Sequence, residues 1–170
     1  MKRRQILRRS GLLCCHCLRN LAFYKSGWRN GALIFNEPFW VNANGNFLDI
    51  CVLEWCKLFA DVSGKHHWRK VITDQIGFFE ALLKTAILTE TEFDAYIGEM
   101  RTYRDKFIAH LDAEEIMYPP NLSSARKTVS FFYDYLLTNE EIDACFHDAP
   151  TNASDFYELI AKQGEKIYST

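Results

Sequence analysis

The stretch from Asn46 to Gly64, NFLDICVLEWCKLFADVSG, decides the fold class of this chain. Its apolar residues recur at intervals of three and four, which places them on one face of an α-helix. Asn46 followed by Asp49 favours a helix start, and Gly64 favours a helix end. The stretch therefore predicts a helix that faces a hydrophobic core with these residues: Leu48, Cys51, Val52, Trp55, Leu58, Phe59 and Val62.

Helical signals continue on both sides of this stretch, without an internal repeat or the alternation typical of strands. Thr89 with Glu92 forms a capping-box pair, and Pro119-Pro120 ends any helix that precedes it. We expect an all-α chain, a single helical domain over 1–170, folded as an antiparallel up-and-down bundle of four to five core helices plus peripheral helices. The other helices are expected at 3–26, 66–88, 89–110, 123–137, a short one from 138, and 153–168.

Length and composition agree with one compact helical domain. The chain has 170 residues, of which 48% are apolar and 25% charged, with only 8 glycines and 4 prolines. This composition excludes a disordered, collagen-like or low-complexity protein. It also disfavours a β-sandwich or barrel, which would need many more turn residues.

Charge is distributed unevenly along the chain, although the net charge is only −2. The first 36 residues contain eight basic residues and no acidic one, whereas the segment after Asn139 contains seven acidic residues and two lysines. We expect a basic first helix and an acidic last helix that lie side by side. The alternative is that the basic helix is an arm that binds RNA or a partner protein.

The amino-terminal segment carries the pair Arg8-Arg9, which twin-arginine signals also carry. The apolar run that follows, Leu12–Cys15, is interrupted by His16 and is shorter than the ~7–15 apolar residues of a signal peptide. No run approaches the ~20 apolar residues of a membrane span. We therefore expect a cytoplasmic protein with no membrane partner.

Six cysteines in such a chain are expected to be reduced thiols that pack as small apolar residues. The run Cys14–Cys17, with its histidine, does not have metal-ligand spacing, because adjacent helical residues point about 100° apart. A structural zinc would need further ligands from elsewhere, such as Cys51, Cys56, His66 and His67. We expect no metal and no other cofactor.

The segment Arg101–Asp112, RTYRDKFIAHLD, breaks the helical pattern of the chain. On a helical wheel, Arg104 lies at about 20° from Phe93, in the middle of an apolar stripe. An arginine is almost never fully buried without a partner, because removing water from its charge is costly. Arg104 is therefore either paired internally, with an acid such as Asp61 or Glu80, or it marks a functional or interface position.

Arg104 and His110 together suit the cleavage of RNA. This reaction needs a base for the 2′-hydroxyl, an acid for the leaving oxygen and a cation for the phosphorane. Histidine titrates in the right range, and the arginine fork matches phosphate oxygens. Six residues on an ideal helix correspond to ~120° of rotation and ~9 Å of rise. One chain alone makes a poor site, so we expect a homodimer whose two-fold axis passes through this stripe.

The segment Tyr103–Asp112 resembles the signature of HEPN-domain proteins: an arginine, a polar residue, and a histidine after four to six positions. The segments Leu53–Phe59 and Gly64–Trp68 resemble the abortive-infection-associated branch of that superfamily. The resemblance implies a dimeric helical bundle and a metal-independent endoribonuclease of a toxin–antitoxin, anti-phage or RNA-processing type. Under it, His110 acts at the 2′-hydroxyl and Arg104 stabilises the phosphorane.

The same resemblance implies that Asp105 orients the reacting groups, and we expect Arg101 and Lys106 to bind the RNA substrate. An antitoxin protein is a further expected partner. The competing interpretation is a non-catalytic helical dimer that binds a protein or RNA. An Arg104 that faces the two-fold axis favours the nuclease, whereas an Arg104 paired with an acid inside one bundle favours the binding module.

Overall fold

A computed structural model describes residues 2–109, 119–140 and 148–169, and these residues confirm the prediction of an all-α chain. A π-helix, Arg104–Ala109, continues the fifth α-helix, and a two-stranded hairpin, β1 (Trp28–Arg29) and β2 (Ala32–Leu33), follows the first. The α-helices of the described residues are α1 (Arg3–Ser26), α2 (Pro38–Phe59), α3 (Trp68–Val71), α4 (Gln75–Ala86), α5 (Glu90–Tyr103), α6 (Leu122–Asn139) and α7 (Ala153–Ile167). The predicted short helix from residue 138 falls mostly outside the described residues.

Helix α2 and the helix predicted over 66–88 have bounds that differ from the prediction. Helix α2 ends at Phe59 rather than Gly64, so Val62, predicted to face the core, lies outside the helix and is 52% exposed. Helix α2 begins at Pro38 rather than Asn46, because proline in the first turn already has the helical φ and needs no hydrogen-bond acceptor for its nitrogen. The helix predicted over 66–88 is divided into α3 and α4. Asp74 begins α4 by accepting a hydrogen bond from the backbone N–H of Gly77 at 3.0 Å, which fixes a new helix start there.

The hairpin between α1 and α2 was not predicted. Asn30 and Gly31 both have positive φ, 52° and 80°, as the tight turn of a two-residue hairpin requires. Trp28 pairs with Leu33 in the short ladder. The Asn-Gly pair is the sequence signal for this turn, but strands of two residues are too short to show alternation.

Trp55 of α2 lies at the centre of the core and is fully buried. Its indole N–H donates to the hydroxyl of Thr128 on α6 at 2.9 Å. Its ring contacts Phe59, Phe93 and Tyr96, with centroid distances of 5.0, 6.3 and 5.1 Å. The helix predicted from Asn46–Gly64 thus joins α5 and α6 to the core through one side chain.

Helices α1 and α2 run antiparallel, since Tyr24 contacts Asn44 near one end of the pair and Cys17 contacts Cys51 further along it. Helix α7 runs parallel to α1. The Arg19 guanidinium lies over the ring of Phe156, near the start of α7, and the hydroxyl of Ser26, at the end of α1, donates to the carbonyl of Ala161 further along α7. The basic first helix and the acidic last helix therefore lie side by side. An up-and-down order for the whole bundle stays a prediction.

The five cysteines in the described residues are buried and free. Burial raises the pKa of Cys15 to about 11, so this thiol stays protonated at neutral pH. Within the described ranges, no three His, Cys, Asp or Glu side chains form a group that could hold a metal ion. None of the helices described is both long and apolar enough to cross a membrane.

Candidate functional site

Helix α5 positions the candidate motif, and its start is fixed by the capping box predicted from the sequence. The Thr89 hydroxyl accepts from the backbone N–H of Glu92 at 3.2 Å, and the Glu92 carboxylate accepts from the backbone N–H of Thr89 at 2.7 Å. This start places Phe93 and Met100 in the core. The predicted apolar stripe of α5 is therefore present, and it leads directly to Arg104.

The motif itself lies on a π-helix, although the sequence predicted an ordinary α-helix through His110. The π-helix spans Arg104–Ala109, so the ideal α-helical spacing does not apply between the arginine and the residues that follow it. π-Helices are rare and frequently occur at functional sites. His110, the predicted catalytic base, lies outside the described residues.

Arg104 is held by two carboxylates of its own chain. Its Nη1 donates to Asp61 Oδ1 at 2.6 Å, and its Nε donates to Asp105 Oδ1 at 2.8 Å. The bond to Asp105 is the largest cause that raises the pKa of the guanidinium, burial opposes it, and the bond to Asp61 adds to it. Asp61 is one of the two acids that the sequence suggested as a partner.

The Arg104 side chain is only 21% exposed, whereas Asp61 and Asp105 are 37% and 56% exposed. Within the described residues, the Nη2 group of Arg104 forms no hydrogen bond, so N–H donors of the fork are available for an oxyanion. The two carboxylates fix the orientation of the guanidinium. They also compete with any phosphate for its charge.

The structure brings Arg101 to the same region as Arg104, one turn earlier on α5. The Arg101 guanidinium donates to the backbone carbonyl of Ala60, and Ala60 precedes the Asp61 that binds Arg104. Both arginines are thus anchored at the residues that follow α2. Lys106 lies half-buried on the π-helix.

Tyr103, the last residue of α5, is bound to α2. Its hydroxyl donates to Asp49 Oδ1 at 2.9 Å, and its ring contacts Phe107 at 5.5 Å between centroids. Asp49 lies within α2, whereas Asp61 lies two residues after its end. The adjacent side chains of Tyr103 and Arg104 therefore contact two separate parts of the chain, one inside α2 and one after its end. No signal in the sequence identified the contact between Tyr103 and Asp49.

Two other reactive side chains near the motif have structural roles. Burial raises the pKa of Cys56 to about 12, which keeps this thiol protonated and a poor nucleophile. His67 is 2% exposed, and its Nδ1 accepts from the backbone N–H of Arg69, so its Nε2 donates to the carbonyl of Phe59 at 3.0 Å. Burial lowers the pKa of His67, which keeps it neutral.

Comparison of the chain with protein-family models, with curated proteins and with solved structures gave no match.

Proposed function

We propose that this chain is a HEPN-type, metal-independent endoribonuclease that acts in the cytoplasm as a homodimer. The observation that supports the proposal most is the position of Arg104, a partly buried guanidinium with a fixed orientation at the first residue of a π-helix. A cation held in this way is preorganised for an anionic transition state. The pair of Arg104 with Asp61 inside one chain, taken alone, is the arrangement that favours the binding module, the second candidate below. The homodimer is part of the proposal because the resemblance to HEPN domains implies a dimer with the motif at its cleft.

The proposed roles follow from the chemistry of RNA cleavage. His110 accepts the proton of the 2′-hydroxyl, whose oxygen attacks the phosphorus and displaces the 5′-oxygen of the next nucleotide. Arg104 stabilises the negative charge of the phosphorane, and Asp105 orients the guanidinium. Arg101 and Lys106 bind phosphates of the RNA backbone. The leaving oxygen takes up a proton, and the products carry a cyclic phosphate and a 5′-hydroxyl.

The test is cleavage of end-labelled RNA by the purified protein in EDTA. We expect the wild type to cleave with cyclic-phosphate products, and Arg104→Ala and His110→Ala each to lose at least ~100-fold in rate. Arg126→Ala is the matched control, because Arg126 pairs with Glu158 on α7, outside the site. Activity that survives in His110→Ala would show that the cleavage does not come from this site.

A non-catalytic helical dimer that binds a protein such as an antitoxin, or RNA, is the second candidate. The observation in its favour is the ion pair between Arg104 and Asp61 within one chain, which is the arrangement expected of a structural arginine. A folded dimer that cleaves none of several RNAs would support this candidate. Growth arrest on expression that is relieved by His110→Ala, with folding intact, would contradict it.

A further inference from the structure

A groove of about 300 Å³ lies beside the candidate site, between the end of α2, α3 and α5. Its volume is at the lower end of the range for small-ligand pockets, about 300–1,000 Å³, so it has room for one nucleotide-sized group. The lining residues that matter for a bound ligand are Val62, Trp68, Arg69, Asp94, Gly98 and Arg101.

Two arginines give this groove a positive character. The Arg69 guanidinium lies over the Trp68 ring, 5.1 Å from its centroid, and the Arg101 guanidinium is anchored on the Ala60 carbonyl. Asp94 is the carboxylate of the lining. In the described part of the chain, neither arginine forms an ion pair, so the fork of each has donors for a phosphate oxygen.

Gly98 lines the groove on the α5 side. A Cβ at this position would meet no atom within 4 Å, so a side chain would project into free space. Glycine in a helix interior costs about 0.5–1 kcal/mol relative to alanine. Helix α5 thus carries a residue that is unfavourable to the helix at a position that lines the groove.

The groove and the candidate site share one residue. Arg101 belongs to both: it lines the groove, and its partner Ala60 is bonded along the chain to Asp61, the partner of Arg104. We propose that the groove binds a ribonucleotide unit next to the scissile phosphate, with Arg69 and Arg101 on its phosphate group. This inference rests on the proposed function, since it assigns a second subsite of the same RNA strand.

The test is binding of a fluorescein-labelled, single-stranded oligouridylate with 2′-O-methyl riboses, which cannot be cleaved, measured by anisotropy over a range of salt concentrations. We expect Arg69→Ala to weaken binding about tenfold and to reduce the salt slope by about one. Gly98→Leu should weaken binding by a similar factor, since it fills the groove. Gly98→Ala is its matched control, and Arg29→Ala, in the hairpin, is the control for loss of an arginine elsewhere.

Equal binding by the wild type, Arg69→Ala and Gly98→Leu would overturn the inference, and so would an equal loss in Arg29→Ala. Binding of polyglutamate in preference to the oligouridylate would show that the groove takes an acidic peptide instead. The proposed function can be contradicted separately. If RNA binds through Arg69 but is never cleaved, the groove binds RNA and the chain is not a nuclease. If cleavage needs Arg104 but KM is unchanged in Arg69→Ala and Gly98→Leu, the nuclease is supported and the proposed role of the groove is wrong.

Discussion

The ion pair between Arg104 and Asp61 gives the sharpest prediction on stability, because its strength indicates how firmly the guanidinium is committed to its own chain. The perturbation is a double-mutant cycle of Arg104→Ala and Asp61→Ala, which isolates the coupling free energy between the two side chains. The pair joins Arg104, the first residue of the π-helix, to Asp61, two residues after the end of α2. The distance between Nη1 and Oδ1 is 2.6 Å.

The expected coupling is about 1 kcal/mol. Exposed ion pairs contribute about 0.2–1 kcal/mol, whereas removing one partner of a buried pair costs about 3–5 kcal/mol. Arg104 and Asp61 are 21% and 37% exposed, so solvent still screens the pair. Arg104 also keeps its bond to Asp105 when Asp61 is removed, which limits the loss. In a chain of this length, 1 kcal/mol corresponds to a change in Tm of about 2–4 °C.

The assay is urea unfolding of the wild type, both single variants and the double variant. The matched control is the cycle of Arg126 and Glu158, a pair with side chains 40% and 54% exposed, for which we expect less than about 0.5 kcal/mol. A coupling of 3 kcal/mol or more would refute the reasoning, because an arginine held so strongly would not be released to a phosphate. No coupling at all would show that the pair does not form in solution.

Three further predictions concern the fold. Thr128→Val leaves the buried Trp55 indole N–H without its acceptor and should cost about 1–3 kcal/mol, whereas Thr128→Ser should cost less. Gly164→Ala should destabilise by about 1–3 kcal/mol, because its Cβ would lie 2.4 Å from a serine hydroxyl of α1, whereas Gly45→Ala, with no atom within 4 Å, should stabilise by about 0.5–1 kcal/mol. Burial raises the pKa of Asp49 in the folded chain, so its contribution to stability is present below the unfolded pKa and lost as pH rises through the folded pKa. Asp49→Asn should therefore flatten the pH dependence of the urea midpoint in this window.

Each of these has a result that would contradict it, measured in the same urea titrations. Equal stability of Thr128→Val and wild type would show that water or another group satisfies the indole. A stable Gly164→Ala would mean that α1 and α7 separate at little cost. An unchanged pH dependence in Asp49→Asn would place the titrating group elsewhere.

Much of the fold could be predicted because it depends on local patterns. The capping box at Thr89 fixes the start of α5 through bonds between residues three apart, and the stripe of α2 follows from helical periodicity. The unusual position of Arg104 was also visible, as a charge inside an apolar stripe. Two acids were possible partners for it, and the sequence could not choose between them because both depend on how α5 packs against the rest of the chain.

The sequence by itself determined the helical class, the register of α5 and the presence of a charge that needs a partner, since these follow from spacing within one helix. Only the tertiary structure decided that Asp61 is that partner, that Arg101 is anchored on Ala60, and that α5 continues as a π-helix. These features depend on where the end of α2 lies against α5. The physical reason is that a contact between residues about 40 positions apart is set by the packing of whole helices, and no local pattern records it.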